Sequence, residues 1–172
     1  MLDRLIDILV KVWDSAKPII FIIAYKEGVM FRAGKYLKPL TPGWYFRIPF
    51  IDTWHEEYVM FDTMCTEVVN ITTLDGKTAS IAGEFDLRVV DIYDALVLTN
   101  DWRTNLMDIV RGIISDILEE HNWEEICKKS TKNAIEKRIQ KRAKEMGISV
   151  DNFNFTDKTI SRAYKLFTDG KN

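Results

Sequence analysis

Ile81-Ala82-Gly83-Glu84-Phe85-Asp86-Leu87-Arg88-Val89 is the stretch on which the fold class turns. Ile81, Gly83, Phe85, Leu87 and Val89 alternate with polar or small residues, the period-two pattern of a strand with one buried face. Near residue 91 the period changes. Tyr93, Ala95, Leu96 and Leu98 suggest a short helix, and Asn100 or Asp101 can cap the next one. Leu106, Ile109, Val110, Ile113, Ile114, Ile117 and Leu118 then form a complete apolar stripe at helical spacing. Such a stripe must be buried against something apolar, so this helix is expected to pack across the sheet.

Toward the N-terminus, residues 19–98 read as mostly β. The apolar run Ile19-Ile20-Phe21-Ile22-Ile23-Ala24-Tyr25 is β-branched and aromatic, and reads as a buried strand. It falls well short of the roughly 20 residues that span a bilayer as a helix. Glu27-Gly28 and Ala33-Gly34 punctuate a first hairpin, and Leu40-Thr41-Pro42-Gly43 is a turn. Trp44 to Ile48 follows as a short aromatic strand stopped by Pro49, and residues 54–61 and 64–72 are two further strands. Leu74-Asp75-Gly76-Lys77 is the strongest hairpin signal in the chain.

Toward the C-terminus, Asn122 caps Trp123-Glu124-Glu125-Ile126, with Glu125 placed for a capping box. A helix over roughly 130–146 carries a thinner stripe of Ala134, Ile135, Ile139, Ala143 and Met146, and Gly147 ends it. Ile148, Val150, Phe153 and Phe155 give a last strand with a shift of phase. The order is helix, many strands, helices, strand, which is α+β without linkers or repeats. The expected organisation is an amphipathic helix over 1–17, one domain over 18–160 and a short tail over 161–172.

The first segment has two readings. Leu2, Leu5, Ile6, Leu9, Val12 and Trp13 follow helical spacing, with Asp3, Asp7, Lys11 and Asp14 on the other face. Such a helix suits a membrane interface, with Trp13 as an anchor, or packing on its own domain or on a neighbouring subunit. Its charges cancel through Lys17, so it lacks the basic face that favours anionic lipid. The same charges interrupt any secretory h-region, so no leader is expected here.

Composition excludes several classes. The chain has 172 residues, 47% hydrophobic and 29% charged, which suits one ordinary globular domain. The net charge of −2 argues against a global electrostatic grip on nucleic acid. That balance hides an asymmetry: residues 124–146 carry +4 and the remainder −6. Lys132, Lys137, Arg138, Lys141 and Arg142 in that segment are candidates for a charged subunit contact. The competing reading is a solvated face neutralised by Lys132/Glu136 and Lys141/Glu145 pairs. No aromatic residue interleaves with these charges after Trp123, which speaks against single-strand nucleic-acid binding.

Catalytic chemistry is thinly supplied. His55 and His121 are the only histidines, and Cys65 and Cys127 the only cysteines. Two distant cysteines make no disulfide framework and fit a reducing compartment. His121, Glu124, Glu125 and Cys127 are the only group with metal-ligand chemistry, but Glu125 already has a capping role. Cys65 reads as a packed thiol, and neither phosphate-loop pattern occurs. No cofactor or metal is expected, and an enzyme built on Cys65 or His121 is the weakest of the readings.

Gly28-Val29-Met30-Phe31-Arg32-Ala33-Gly34-Lys35, followed by Pro42-Gly43-Trp44-Tyr45-Phe46-Arg47-Ile48-Pro49-Phe50-Ile51-Asp52, resembles the opening of the SPFH or band 7 domain of stomatins, prohibitins and flotillins. Thr73-Leu74-Asp75-Gly76-Lys77 is similar to the T-x-D-G hairpin of that family. Val90 to Leu96 resembles its approach to the first long helix, and Lys144 to Val150 the end of its second helix and its last strand. The resemblance spans about residues 25–157. It implies an SPFH-like α+β domain with a mostly antiparallel sheet, packed helices and an N-terminal amphipathic helix, lacking the family's usual coiled-coil tail. It also implies a non-enzymatic scaffold that assembles with itself into rings or oligomers, at the cytoplasmic face of a membrane. The alternative is a structural subunit of a large soluble particle, such as a bacteriophage virion ring, in contact with other particle subunits in the virion or cytoplasm.

Overall fold

The computed structural model describes residues 17–161. The expected helix carrying Leu2, Leu5, Ile6, Leu9 and Trp13 lies outside these residues, as does the tail beyond Ser161. The chain forms two compact units. Of the described residues, one takes 17–61 with 88–102 and 146–148; the other takes 62–87, 103–145 and 149–161. The architecture is α+β with antiparallel strand pairs.

In the first unit, β1 (Ile19–Ile22) pairs with β4 (Gly43–Phe46). A three-stranded sheet runs in the order β3 (Lys35–Leu40), β2 (Lys26–Arg32), β5 (Asp52–Tyr58). Ile20, Ile22, Met30 and Leu40 form its core, with Tyr45 and Trp54 packed against them. The β2–β3 turn is Ala33-Gly34, and both take positive φ, at 49° and 78°. That is the geometry a two-residue hairpin prefers. Glu27-Gly28, expected as a break, lies inside β2. A Cβ on Gly28 would stand 2.4 Å from the His55 carbonyl oxygen, so the glycine serves the close approach of β5. The short helix expected near 93–98 is a single π-helical turn, Asp94–Leu98, entered through amides of Tyr93 and Asp94 that donate to Asp91 Oδ1.

In the second unit, β8 (Thr78–Val89) is the central strand. It shows the expected alternation, with Ala79, Ile81, Phe85 and Leu87 buried. The expected strand over 64–72 is instead two, β6 (Asp62–Cys65) and β7 (Val69–Thr72), both paired to β8. Between them the register slips by one residue. Thr66 holds the gap, donating its amide to Gly83 O at 2.7 Å and accepting the Gly83 amide on Oγ1 at 2.8 Å. β9 (Ile148–Ser161) also pairs with β8. Its phase shift sits at Asn152, whose φ of 54° lets Val150 and Phe153 both be buried.

The helices are α1 (Trp102–Glu120), α2 (Trp123–Ile126) and α3 (Lys129–Lys144). Leu106, Val110, Ile114, Ile117 and Leu118 of α1 are fully buried, whereas Ile109 and Ile113 are half-exposed. Arg103–Asp62 and Arg111–Glu67 ion pairs tie α1 to the β6–β7 side. The capping box at Asn122 and Glu125 forms as expected. On α3 the stripe differs: Ala134 is exposed, and Thr131 is buried, donating Oγ1 to Glu125 O at 2.6 Å. A hydroxyl with a carbonyl partner is buried at little cost, so it replaces an apolar residue there.

Candidate functional site: an aromatic face and a basic helix

β1 and β4 are both apolar on both sides, yet a two-stranded sheet has only one inner face. Ile20, Ile22 and Tyr45 take it. The outer face is left with Ile19 opposite Phe46 and Phe21 opposite Trp44. Trp44 is 73% exposed and Phe46 81%, while the rings of Phe21 and Trp44 lie 4.7 Å apart. The expectation of a wholly buried first strand is therefore corrected: only alternate residues are buried, because nothing among the described residues covers the other side. The loop leaving β4 adds exposed Ile48, Phe50 and Ile51.

That loop is held from beneath. Asp52 is 1% exposed and accepts both Nε and Nη2 of Arg32, at 2.8 and 2.9 Å. It also accepts the Ile48 amide at 2.7 Å. The Arg32 fork, then the Ile48 amide, hold the Asp52 carboxyl down at about 2. Backbone bonds from Ala33 to Ile51 O and from Asp52 to Ile48 O complete the clasp. Phe50, at the tip, has a φ of 67°, a conformation a bulky residue rarely adopts. The clasp supplies the contacts that keep it there. Arg32 and Asp52 are the R and the D of the two opening motifs, so those motifs encode a loop support. The pair joins residues twenty positions apart on β2 and β5, which residue type alone does not reveal. The available signal was a single acid closing an apolar, proline-containing turn.

The second expected site lies on α3. Lys132 is half-buried and donates to Asn154 Oδ1. Lys137, Arg138, Lys141 and Arg142 are exposed. The Lys132/Glu136 and Lys141/Glu145 pairs of the solvated-face reading are not formed. Arg142 reaches Glu145 at 3.5 Å instead, and Arg138 reaches Glu120 of α1 at 3.5 Å. Lys137, Lys141 and Lys144 make no ion pair within the described residues.

The thinner candidates dissolve or change. His121, just past the end of α1, has Nδ1 2.9 Å from Ile117 O in the last turn of that helix. Among the described residues no group of three or more His, Cys, Asp or Glu is placed to hold a metal. Cys65 is exposed, correcting the packed-thiol reading: strand alternation turns Met64 inward and Cys65 outward. Cys127 is exposed as well. Among the described residues no helix is long and apolar enough to cross a membrane.

The model of the SPFH domain / Band 7 family matches residues 21–165. The uncharacterized protein MJ0827 of Methanocaldococcus jannaschii is 24% identical over 115 residues, covering 66% of this chain. The match spans 57% of that relative's length.

Proposed function

The chain belongs to the SPFH domain / Band 7 family, and on that premise we propose that it is a non-enzymatic scaffold subunit which associates with copies of itself at the cytoplasmic face of a membrane. The observation that carries the reading is the aromatic face of β1 and β4. Contiguous exposed apolar surface on a folded domain marks an interaction site. Tryptophan and phenylalanine at such a face suit the boundary between lipid headgroups and tails. The buried Asp52 clasp supports the same reading, since it holds Phe50 outward in a strained conformation that burial alone would not select. The exposed, unpaired thiols of Cys65 and Cys127 favour a reducing compartment.

Each large aromatic side chain moved out of water contributes roughly 1.5–3 kcal/mol. Replacing Trp44 and Phe46 together by Asp is therefore expected to weaken vesicle binding by about 100-fold or more. Flotation of the purified chain with lipid vesicles reads this directly. A wild-type chain that does not float removes the membrane from the proposal and favours a subunit of a soluble particle. Light scattering tests the scaffold itself, and a strict monomer at high concentration, with and without vesicles, overturns it.

A further inference from the structure

Gly112 stands in the middle of α1, exposed, with no atom within 4 Å of where a Cβ would be. A mid-helix glycine costs helix stability, and no contact among the described residues requires this one. Half-exposed Ile109 and Ile113 stand on either side of it along the helix. The three residues floor a groove of about 450 Å³. Asp116 also lines it, and Arg138, Lys141, Arg142 and Glu145 of α3 form the opposite wall. An apolar floor with a charged rim is the anatomy of a protein interface. The two carboxylates in the lining repel phosphate, which disfavours nucleic acid and anionic headgroups.

The complement to the basic rim lies on the same chain. Glu119 and Glu120 end α1, whose last turn holds no basic residue, and Glu124 opens α2. On α3 the first turn is reversed, with Lys129 and Lys132 and no acid. The end of α1 and the start of α3 thus carry charge against their helix macrodipoles, whereas Lys141, Arg142 and Lys144 in the last turn of α3 accord with its own. Glu119 and Glu124 are exposed and form no ion pair within the described residues, like Lys137 and Lys141 opposite in sign. Glu120, reaching Arg138 at 3.5 Å, already displays the pairing within one chain.

We propose that the α1–α3 groove receives a second copy of this chain, which docks its acidic α1–α2 corner, Glu119 and Glu124, against Lys141 and Arg142 of the groove wall and exposed Lys137 one helical turn before Lys141. Groove and corner adjoin at the Glu120–Arg138 pair, so each contact brings the acidic corner of one copy to the basic rim of its neighbour. The proposal rests on the self-association reading and names its surfaces.

The test is a charge exchange on the full chain, read by light scattering after size exclusion, with circular dichroism as the check on folding. The variant Lys137→Glu/Lys141→Glu is expected to lose every species above monomer mass, and so is Glu119→Lys/Glu124→Lys. An equimolar mixture of the two restores assembly, because each then meets the opposite charge on its neighbour. Gly112→Trp, whose Cβ meets open space and whose ring projects into the groove, also gives monomers. A monomeric wild type overturns both this proposal and self-association. A wild type that assembles while the reversed variants assemble equally, or a mixture that stays monomeric, overturns the groove alone. Association of the wild type that occurs only on anionic vesicles, and is lost with Lys137→Glu/Lys141→Glu but not with Glu119→Lys/Glu124→Lys, assigns the groove to lipid and also overturns it.

Discussion

A single carboxylate, Asp52, closes the loop that presents Phe50. Its folded value of about 2 lies below the ordinary 3.8, so the unfolded chain takes up its proton first as acid is added. The stabilisation is complete above the ordinary value and is lost as pH falls from there toward 2. Asp52→Asn is expected to lower the melting temperature by several degrees at neutral pH, the gap to wild type narrowing across that acid window. Asp75, held at about 2 by Lys77 and then Thr73, loses its contribution over the same range, so the variant keeps a residual acid slope. Gly112→Ala runs the other way, adding about 0.5–1 kcal/mol in thermal or denaturant melts. Neither role was readable from sequence. A carboxylate's partner and a glycine's empty surroundings are facts of three-dimensional neighbourhood, and residue type records neither.

Elements were more legible where one local rule decided them. Asp75-Gly76 gives the β7–β8 hairpin, with Gly76 at a φ of 74° and its amide donating to Thr73 O at 2.9 Å. The stripe of α1 and the alternation of β8 were likewise evident, because each period is set by one buried face. The split between β6 and β7 was not, since it depends on Thr66 meeting Gly83, a contact between strands. Ala134 was misplaced for a similar reason: apolar type alone does not say which residues of a thin stripe face the sheet. Gly147, expected to end α3, has a φ of 71°, and a Cβ there would stand 2.4 Å from Asp91 O. Its carbonyl also accepts the Val90 and Asp91 amides. Gly147→Ala is therefore expected to cost about 2–3 kcal/mol or more, measurable by urea denaturation, since both the backbone conformation and the space oppose a side chain.

At the scale of the molecule, the two candidate surfaces answer to different forces. The groove contact is electrostatic at its rim, whereas the face of β1 and β4 is apolar. Raising salt from about 0.15 to about 1 M shrinks the screening length from roughly 8 to 3 Å. The expected result is smaller assemblies by light scattering with undiminished flotation on vesicles. Simultaneous loss of both would mean that one surface serves both contacts. The basic helix was visible from charge counts along the chain. The aromatic face was not, because an apolar run reads as buried until its neighbour proves equally apolar and one side is left over.

Trp44 stands 73% in water while Trp102 is 3% exposed. The chain thus carries its own optical gauge. A quencher dissolved in buffer would dim Trp44 and spare Trp102. With Trp13, Trp54 and Trp123 replaced by Phe, once the face is seated in a bilayer the dissolved quencher would lose access to Trp44 and a brominated lipid tail would gain it, so fluorescence would report the docked state without an added label.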